Sequence, residues 1–375
     1  MAGIYVHIPF CKKRCSYCDF HFSTTFSSYR EKLISAICLE LDLRKSELNG
    51  IPVETVYFGG GTPSLLTKDE LSDILLAVRH AYQLIEEPEI TFEVNPDDAS
   101  QEHLIAWREL GINRLSIGLQ SFQESDLTWM NRSHTNQQGE QAVRLAQSLG
   151  FDNISIDLIY GLPELSNNQW LSHLNQALNL NVQHISSYCL TIEPKTALNH
   201  FVEKGTLSRP TEEQQSEQFD LLVSTLAKAG FEHYEISNFA KDEQYAKHNS
   251  AYWNFTPYVG VGPSAHSFNG HQRRWNVANN TKYFQQVGKN QDWFEVETLS
   301  LSEKWNEYFL TGLRTKWGIL KKSIIDLGGF NASELTQLEI YLRTDLIIEN
   351  QENYVLTEKG KLQADGISSS FFRID

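Results

Sequence analysis

Up to about residue 190 the chain alternates short β-branched runs with longer amphipathic stretches, and this alternation restricts the fold more than any other feature. Strands are expected at 4–8, 55–58, 90–94, 114–117, 153–159 and 183–190. Helices are expected at 29–48, 68–82, 101–110, 138–149 and 168–178, where apolar residues recur at three- and four-residue spacing. Strands and helices in strict turn, joined by short links, describe a parallel sheet wrapped by helices. Six strands fall short of the eight that close a barrel. The expected fold is therefore α/β, a partial (β/α)6 TIM-like barrel.

The residues after each strand carry the chemistry. The first strand runs into Cys11, Cys15 and Cys18, and the second into Gly59-Gly60-Gly61-Thr62-Pro63. The third ends at Glu93-Val94-Asn95-Pro96 and the fourth at Gly118-Leu119-Gln120-Ser121. The fifth carries Asp157 ahead of Tyr160-Gly161-Leu162-Pro163. In parallel α/β barrels the C-terminal ends of the strands carry the active site. Five polar or glycine-rich strand ends in succession exceed what turn chemistry alone requires.

Beyond residue 190 the pattern changes. A helix is expected at 211–230, a short strand at 232–239, and a loop-rich stretch from 238 to 280. Helical patterns return at 303–313, 321–327 and 333–343, followed by two apolar pieces, 346–348 and 354–356, around a polar turn. That order suits a winged-helix-like α+β module with Trp305 and Trp317 in its core. The chain divides into a barrel over 1–235, a loop-rich extension over 236–298 and a C-terminal module over 299–375.

Charge narrows the partners. Against 32 basic residues stand 47 acidic ones, a formal net charge of −15, and Lys12-Lys13-Arg14 is the longest basic block. No basic face is available for nucleic acid or an anionic membrane, and the module's turn at 349–353 has no basic residue for DNA. The apolar stretch 4–10 is too short for a signal peptide, and no run is long enough to span a bilayer. Three of five cysteines fall in one short loop, unlike a disulfide framework, so a reduced, cytoplasmic protein is expected.

The spacing Cys11-x3-Cys15-x2-Cys18 supplies three soft thiolates, suited to an iron–sulfur cluster or to zinc. Zinc would need a fourth ligand, for which His7 or His21 is available. On a four-iron cluster, three thiolates leave one iron open to a small molecule. Gly59–Gly61, lacking Cβ atoms, permit close approach of a ligand or simply a tight turn.

With these strand ends around it, the cysteine loop resembles that of the radical S-adenosylmethionine (SAM) superfamily. The resemblance implies a 4Fe–4S cluster whose open iron is chelated by SAM, and the capacity to release a 5′-deoxyadenosyl radical. A similarity over nearly the whole chain is to the oxygen-independent coproporphyrinogen III oxidase-like family, which includes the HemW-type heme chaperones. It is carried by Tyr5-Val6-His7-Ile8-Pro9-Phe10-Cys11, the glycine run, Glu93-Val94-Asn95-Pro96, the stretch 114–120, Asn131-Arg132 and the stretch 157–163. On that resemblance Tyr5, Tyr17, Gly60, Gly61, Thr62, Glu93, Gln120, Arg132 and Asp157 contact SAM. Carboxylates suit ribose hydroxyls or an ammonium, and arginine suits a carboxylate.

Within the family, the oxidase branch has a further cysteine two residues after the third and a long N-terminal extension. Here Phe20 takes that cysteine's place, and the first cluster cysteine is already residue 11. His248-Asn249-Ser250-Ala251-Tyr252-Trp253 instead matches the H-N-x-x-Y-W motif of the chaperones. In a loop, His248 would offer an axial imidazole, with His266 and His271 as alternatives, and Tyr252 and Trp253 flat faces for porphyrin. The resemblance implies a chaperone that carries heme as bound cargo to an acceptor hemoprotein, with an electron donor serving the cluster. Contact with a membrane hemoprotein would be peripheral. The alternative is a coproporphyrinogen III dehydrogenase, for which the missing cysteine and extension speak against decarboxylation; whether the chain is an enzyme stays open.

Overall fold

The computed structural model describes residues 1–374. The chain builds β1 (Ala2–Ile8), α1 (Arg30–Leu43), β2 (Val53–Gly60), α2 (Lys68–Ala81), β3 (Leu84–Val94), α3 (Gln101–Glu109) and β4 (Arg114–Gln120). It continues through α4 (Glu124–Trp129), α5 (Asn136–Ser148), β5 (Asn153–Tyr160), α6 (Asn167–Asn179), β6 (His184–Cys189), α7 (Ala197–Glu203) and α8 (Glu212–Lys228). Strands β1 to β6 pair in parallel and in chain order. All six expected strands and every expected helix of this half therefore form; α4 and α7, each under two turns, carry too short a pattern to be read.

Helix starts follow local chemistry. Thr67, Thr135 and Ser166 each cap a helix and receive a reciprocal bond from Glu70, Gln138 and Gln169, satisfying amides the helix leaves unpaired. One face of the parallel sheet, with Val56, Phe58 and Phe92, packs on the helices: Phe92 lies 5.1 Å from Trp107 of α3. The other face is polar. Register places Tyr5 beside Tyr57, Tyr57 beside Thr91, and Thr91 beside Arg114. One layer higher, Glu93 stands beside Ser116 and Ser116 beside Ser155.

The segment 236–298 is not the loop-rich extension expected. After β7 (Glu232–Glu235), which ends just before it, this segment forms β8 (Asn238–Ala240), α9 (Lys247–Trp253), β9 (Tyr258–Val261), β10 (His266–Phe268), β11 (Gln272–Asn276), α10 (Asn280–Gly288) and β12 (Phe294–Thr298). These strands extend the barrel sheet at both edges, in the order β12-β11-β10-β9-β1-β2-β3-β4-β5-β6-β8-β7. Strand β9 is parallel to β1 and prolongs the parallel core beyond the six strands read from sequence. The single strand expected at 232–239 is the hairpin β7–β8. Its short strands and many Asn and Gly residues conceal this, because the order comes from pairing with distant edges.

The buried carboxylate of Glu40 shows how that pairing is held. It accepts from Arg44 Nη1 (3.0 Å), Gly262 N (2.9 Å), Asn276 Nδ2 (2.8 Å), Tyr283 Oη (2.6 Å) and Trp293 Nε1 (3.1 Å). Arg44 donates to Gly260 O (2.6 Å) and Ser267 Oγ (2.8 Å). Helix α1 stops at Leu43, short of the expected residue 48, and Arg44 at its C-cap turns into this network.

A second core forms from α11 (Leu301–Gly312), β13 (Ile319–Leu320), α12 (Lys321–Asp326), α13 (Ala332–Arg343), β14 (Ile347–Glu349) and β15 (Asn353–Leu356), with short helices at Glu358–Lys361 and Ala364–Ser369. Trp305, Phe309 and Phe371 fill it, under a sheet ordered β13-β15-β14. Trp317 is only half-buried and meets Tyr245 edge-on at 5.7 Å. It belongs to the seam with the barrel rather than to the module core.

Candidate cluster and cofactor site

The loop after β1 returns over the barrel mouth and is tied down along its length. Cys11 N donates to Ser23 O (3.0 Å), Ser16 N to Met130 O (3.0 Å), and Asn131 Nδ2 to Arg14 O (2.8 Å). Lys12 binds both Asp97 (2.7 Å) and Asp98 beyond the end of β3. The glycine run lies directly beneath. A Cβ on Gly61 would sit 2.7 Å from Phe10 O, and one on Gly60, whose φ is +106°, 2.5 Å from His7 Cε1. Close packing of the loop is thus one reason for these glycines, beside any ligand they admit.

Cys11, Cys15 and Cys18 are half-buried, free of disulfides, and line one cavity of ≈ 510 Å³. Among the described residues no three His, Cys, Asp or Glu side chains converge as ligands of a single ion would. The fit to a cluster rests on what faces the sulfurs. Thr62 Oγ1 donates to Cys11 Sγ and Arg132 Nη1 to Cys15 Sγ, each at 3.5 Å, as suits thiolates under negative charge. Burial pushes the free Cys11 and Cys18 thiols up to about 11, so iron would have to displace their protons.

Tyr17, Gly60, Gly61, Thr62, Glu93, Gln120, Arg132 and Asp157 line the same cavity as the thiols. Arg132 is locked by Asn95 Oδ1 (2.8 Å) and Gly118 O (2.9 Å), while its Nε is buried without a partner. Glu93 accepts from Tyr57 Oη (2.8 Å), and Asp157 from Ser116 Oγ (3.2 Å). Burial raises both carboxyls, Glu93 to about 7 and Asp157 to about 6. Such groups suit a cationic ligand, which would favour their charged forms. Tyr5 does not line the cavity; its hydroxyl is 3.2 Å from His7 Nδ1.

Sequence reasoning passed over Ser116, Tyr188 and Cys189, which also line the cavity. Ser116 could have been found by stepping back two residues from Gly118, the period of one strand face. Buried Arg114 bears electrostatically on Glu93, Asp157 and Tyr57; it reads in sequence as an ordinary strand start.

The structure does not bring His248, Tyr252 and Trp253 to this mouth. They lie on helix α9, not in a loop, at the opposite end of the barrel beside the starts of β1 and β2. His248 is 1% exposed; Thr55 Oγ1 meets its Nδ1 at 2.7 Å and Tyr252 Oη its Nε2 at 2.9 Å. Its ring stacks on Tyr57 at 5.1 Å, and a Cβ on Gly3 would lie 3.1 Å from its Cε1. Neither nitrogen is free for iron. Tyr252 meets Tyr258 edge-on at 4.6 Å, and Arg314 lies 5.7 Å from the Trp253 ring. His271 is exposed beside Lys304 (3.4 Å), and exposed His266 stacks by Trp275 at 6.3 Å.

Comparison with known proteins bears on the family and the fold. Residues 5–177 match the model of the radical SAM superfamily. The heme chaperone HemW of Bacillus subtilis is 32% identical over 99% of both chains. The heme chaperone HemW of Synechocystis is 35% identical over 85% of this chain and 79% of its own. Among solved structures, the coproporphyrinogen III oxidase HemN of Escherichia coli, a radical SAM enzyme, superposes with a TM-score of 0.86. It covers 99% of this chain and 89% of its own at 24% identity, a likeness of fold.

Proposed function

This chain belongs to the radical SAM superfamily and, within it, to the HemW heme chaperone family; from that premise we propose that it binds heme and delivers it to an acceptor hemoprotein. In this reading Cys11, Cys15 and Cys18 hold a 4Fe–4S cluster. Arg132, Glu93, Asp157 and Gln120, with the Gly60-Gly61-Thr62 edge, hold SAM on the open iron. The cluster and SAM would supply one-electron chemistry when bound; the chain's own residues position them, shield them and set their charge.

The observation that carries the reading is Phe20. It stands 68% exposed two residues after Cys18, where the oxidase branch has its further cysteine. An exposed aromatic ring there offers a surface for a flat apolar cargo and no thiolate. An electron donor for the cluster and a hemoprotein acceptor complete the scheme. Among the described residues no helix is long and apolar enough to cross a membrane. We place the protein in the cytoplasm, where reduced thiols persist; an acceptor in a membrane would be met peripherally.

The test is anaerobic. Cluster-loaded protein with SAM and reductant is given coproporphyrinogen III in one arm and hemin with an apo-hemoprotein in the other. Stoichiometric hemin uptake and transfer without loss of carboxylates is expected. Catalytic decarboxylation would establish the oxidase instead.

A further inference from the structure

We propose that heme docks in the open cleft beside the cysteine loop, with His21 as its axial ligand through Nδ1. This rests on the chaperone reading above and adds the place of the cargo. The cleft measures ≈ 630 Å³, within the usual range of small-molecule sites, with Phe20, His21 and Phe22 on one side and Ser264 and Ala278 on the other.

The hydrogen bonds around His21 prepare it for iron. Its Nε2 lies 2.7 Å from Asn280 Oδ1, while Asn280 Nδ2 donates to Tyr29 Oη at 3.0 Å. So oriented, the amide presents its oxygen to the imidazole. Nε2 then carries the proton and Nδ1 keeps its lone pair, with no other bond to the ring among the described residues. Metal-binding imidazoles use this arrangement, the second nitrogen donating to an oxygen that fixes the tautomer and raises ligand basicity. The His21 carbonyl separately accepts from His7 Nε2 (2.9 Å), pinning the backbone.

The cleft suits a porphyrin in its other features. Phe20 is exposed in the free protein, and a flat apolar cargo laid on such a ring removes its surface from water. Arg14 on the rim can pair with a propionate. Asp19, Phe20 and Phe22 line both this cleft and the thiol cavity, so cargo and cofactor share a wall. Of the other histidines nearby, His7 has both nitrogens bonded, and exposed His266 has, among the described residues, no partner that sets its tautomer.

Cluster-loaded full-length protein is titrated anaerobically with ferric hemin and read by absorbance and low-spin EPR. Wild type is expected to show imidazole ligation. His21→Ala should lose that signature and bind hemin at least about tenfold more weakly, with iron content and SAM affinity unchanged, and added imidazole should restore the signal. His266→Ala should match wild type. Phe20→Ser, which leaves every bond of the His21 ring in place, should weaken hemin binding several-fold at unchanged iron content, providing a second measurement should His21→Ala lose iron. Wild-type hemin binding in both His21→Ala and Phe20→Ser, or a signature lost in His266→Ala instead, overturns the assignment alone. A wild type that takes up no hemin overturns the chaperone reading with it.

Discussion

With Nδ1 held by Thr55 and Nε2 by Tyr252, His248 ties α9 to the floor of the barrel. Glu89 reinforces the tie by accepting the backbone amides of Lys247 and His248 at 3.3 and 3.2 Å. Burial lowers the imidazole to about 3, so it stays neutral. His248→Ala leaves the buried Thr55 hydroxyl and the half-buried Tyr252 hydroxyl without this partner above a void and is expected to cost about 2–4 kcal/mol, read by denaturant unfolding. An unchanged midpoint would show that the ring bears no structural load. At the other end of the barrel, Glu93 and Asp157 set a pH dependence. Their carboxyls rise from 4.5 to about 7 and from 3.8 to about 6, chiefly through burial, with Tyr57, Ser116 and Arg114 pulling the other way. Between the ordinary and raised values the folded chain binds more protons than the unfolded one. These groups therefore make stability fall as pH climbs from about 4 to about 7. In ligand-free protein Glu93→Gln should flatten that fall in a melting-temperature series; parallel curves would refute the assignment.

At the scale of elements, Glu40 decides where the strands after residue 255 go. It sits on α1 yet receives donors from β11, α10 and the turns that follow β9 and precede β12. Removing one partner of such a network strands the others, and Glu40→Ala is expected to destabilise by about 3–5 kcal/mol. Hydrogen exchange should show the loss concentrated in 258–298. In sequence Glu40 is one acidic residue in an amphipathic helix, so nothing there announces the role. The glycine run was legible, though only half its reason was. Gly60→Ala meets His7 and a positive φ together, so loss of iron binding or about 2 kcal/mol of stability is expected. Gly288→Ala, with nothing within 4 Å of its new methyl, should be neutral or slightly stabilising. Equal effects in the two variants would mean that loop packing does not select Gly60.

Across the whole molecule the two large cores are distinct, the barrel and the module around Trp305, with a small third cluster of Tyr258, Phe268 and Leu299. Backbone bonds from Ile236 N to Arg314 O (3.1 Å) and from Lys316 N to Tyr234 O (2.9 Å) stitch them together. Hydrogen exchange is expected to resolve two opening units, the smaller module core opening at lower free energy. SAM added to cluster-loaded protein should then protect the barrel and leave the module's exchange unchanged. A single opening unit would show that the seam couples them fully.

The sequence by itself determined the parallel α/β core, the polar strand ends and the three-thiol loop. Each is written in local periodicity or close spacing, and a strand's C-terminal end is a mouth wherever the barrel sits. Eight of the residues expected around SAM accordingly line one cavity with the thiols. Tertiary structure alone decided which ends are shared. A histidine in a six-residue motif can face solvent or a barrel floor, and only the register of α9 over Thr55 and Tyr57 selects the floor. His21 is one histidine in a polar loop until Asn280, far along the chain, meets its Nε2 at 2.7 Å. Hydrogen-bond partners so distant leave no trace in local pattern, because long-range contacts follow from how the sheet edges meet.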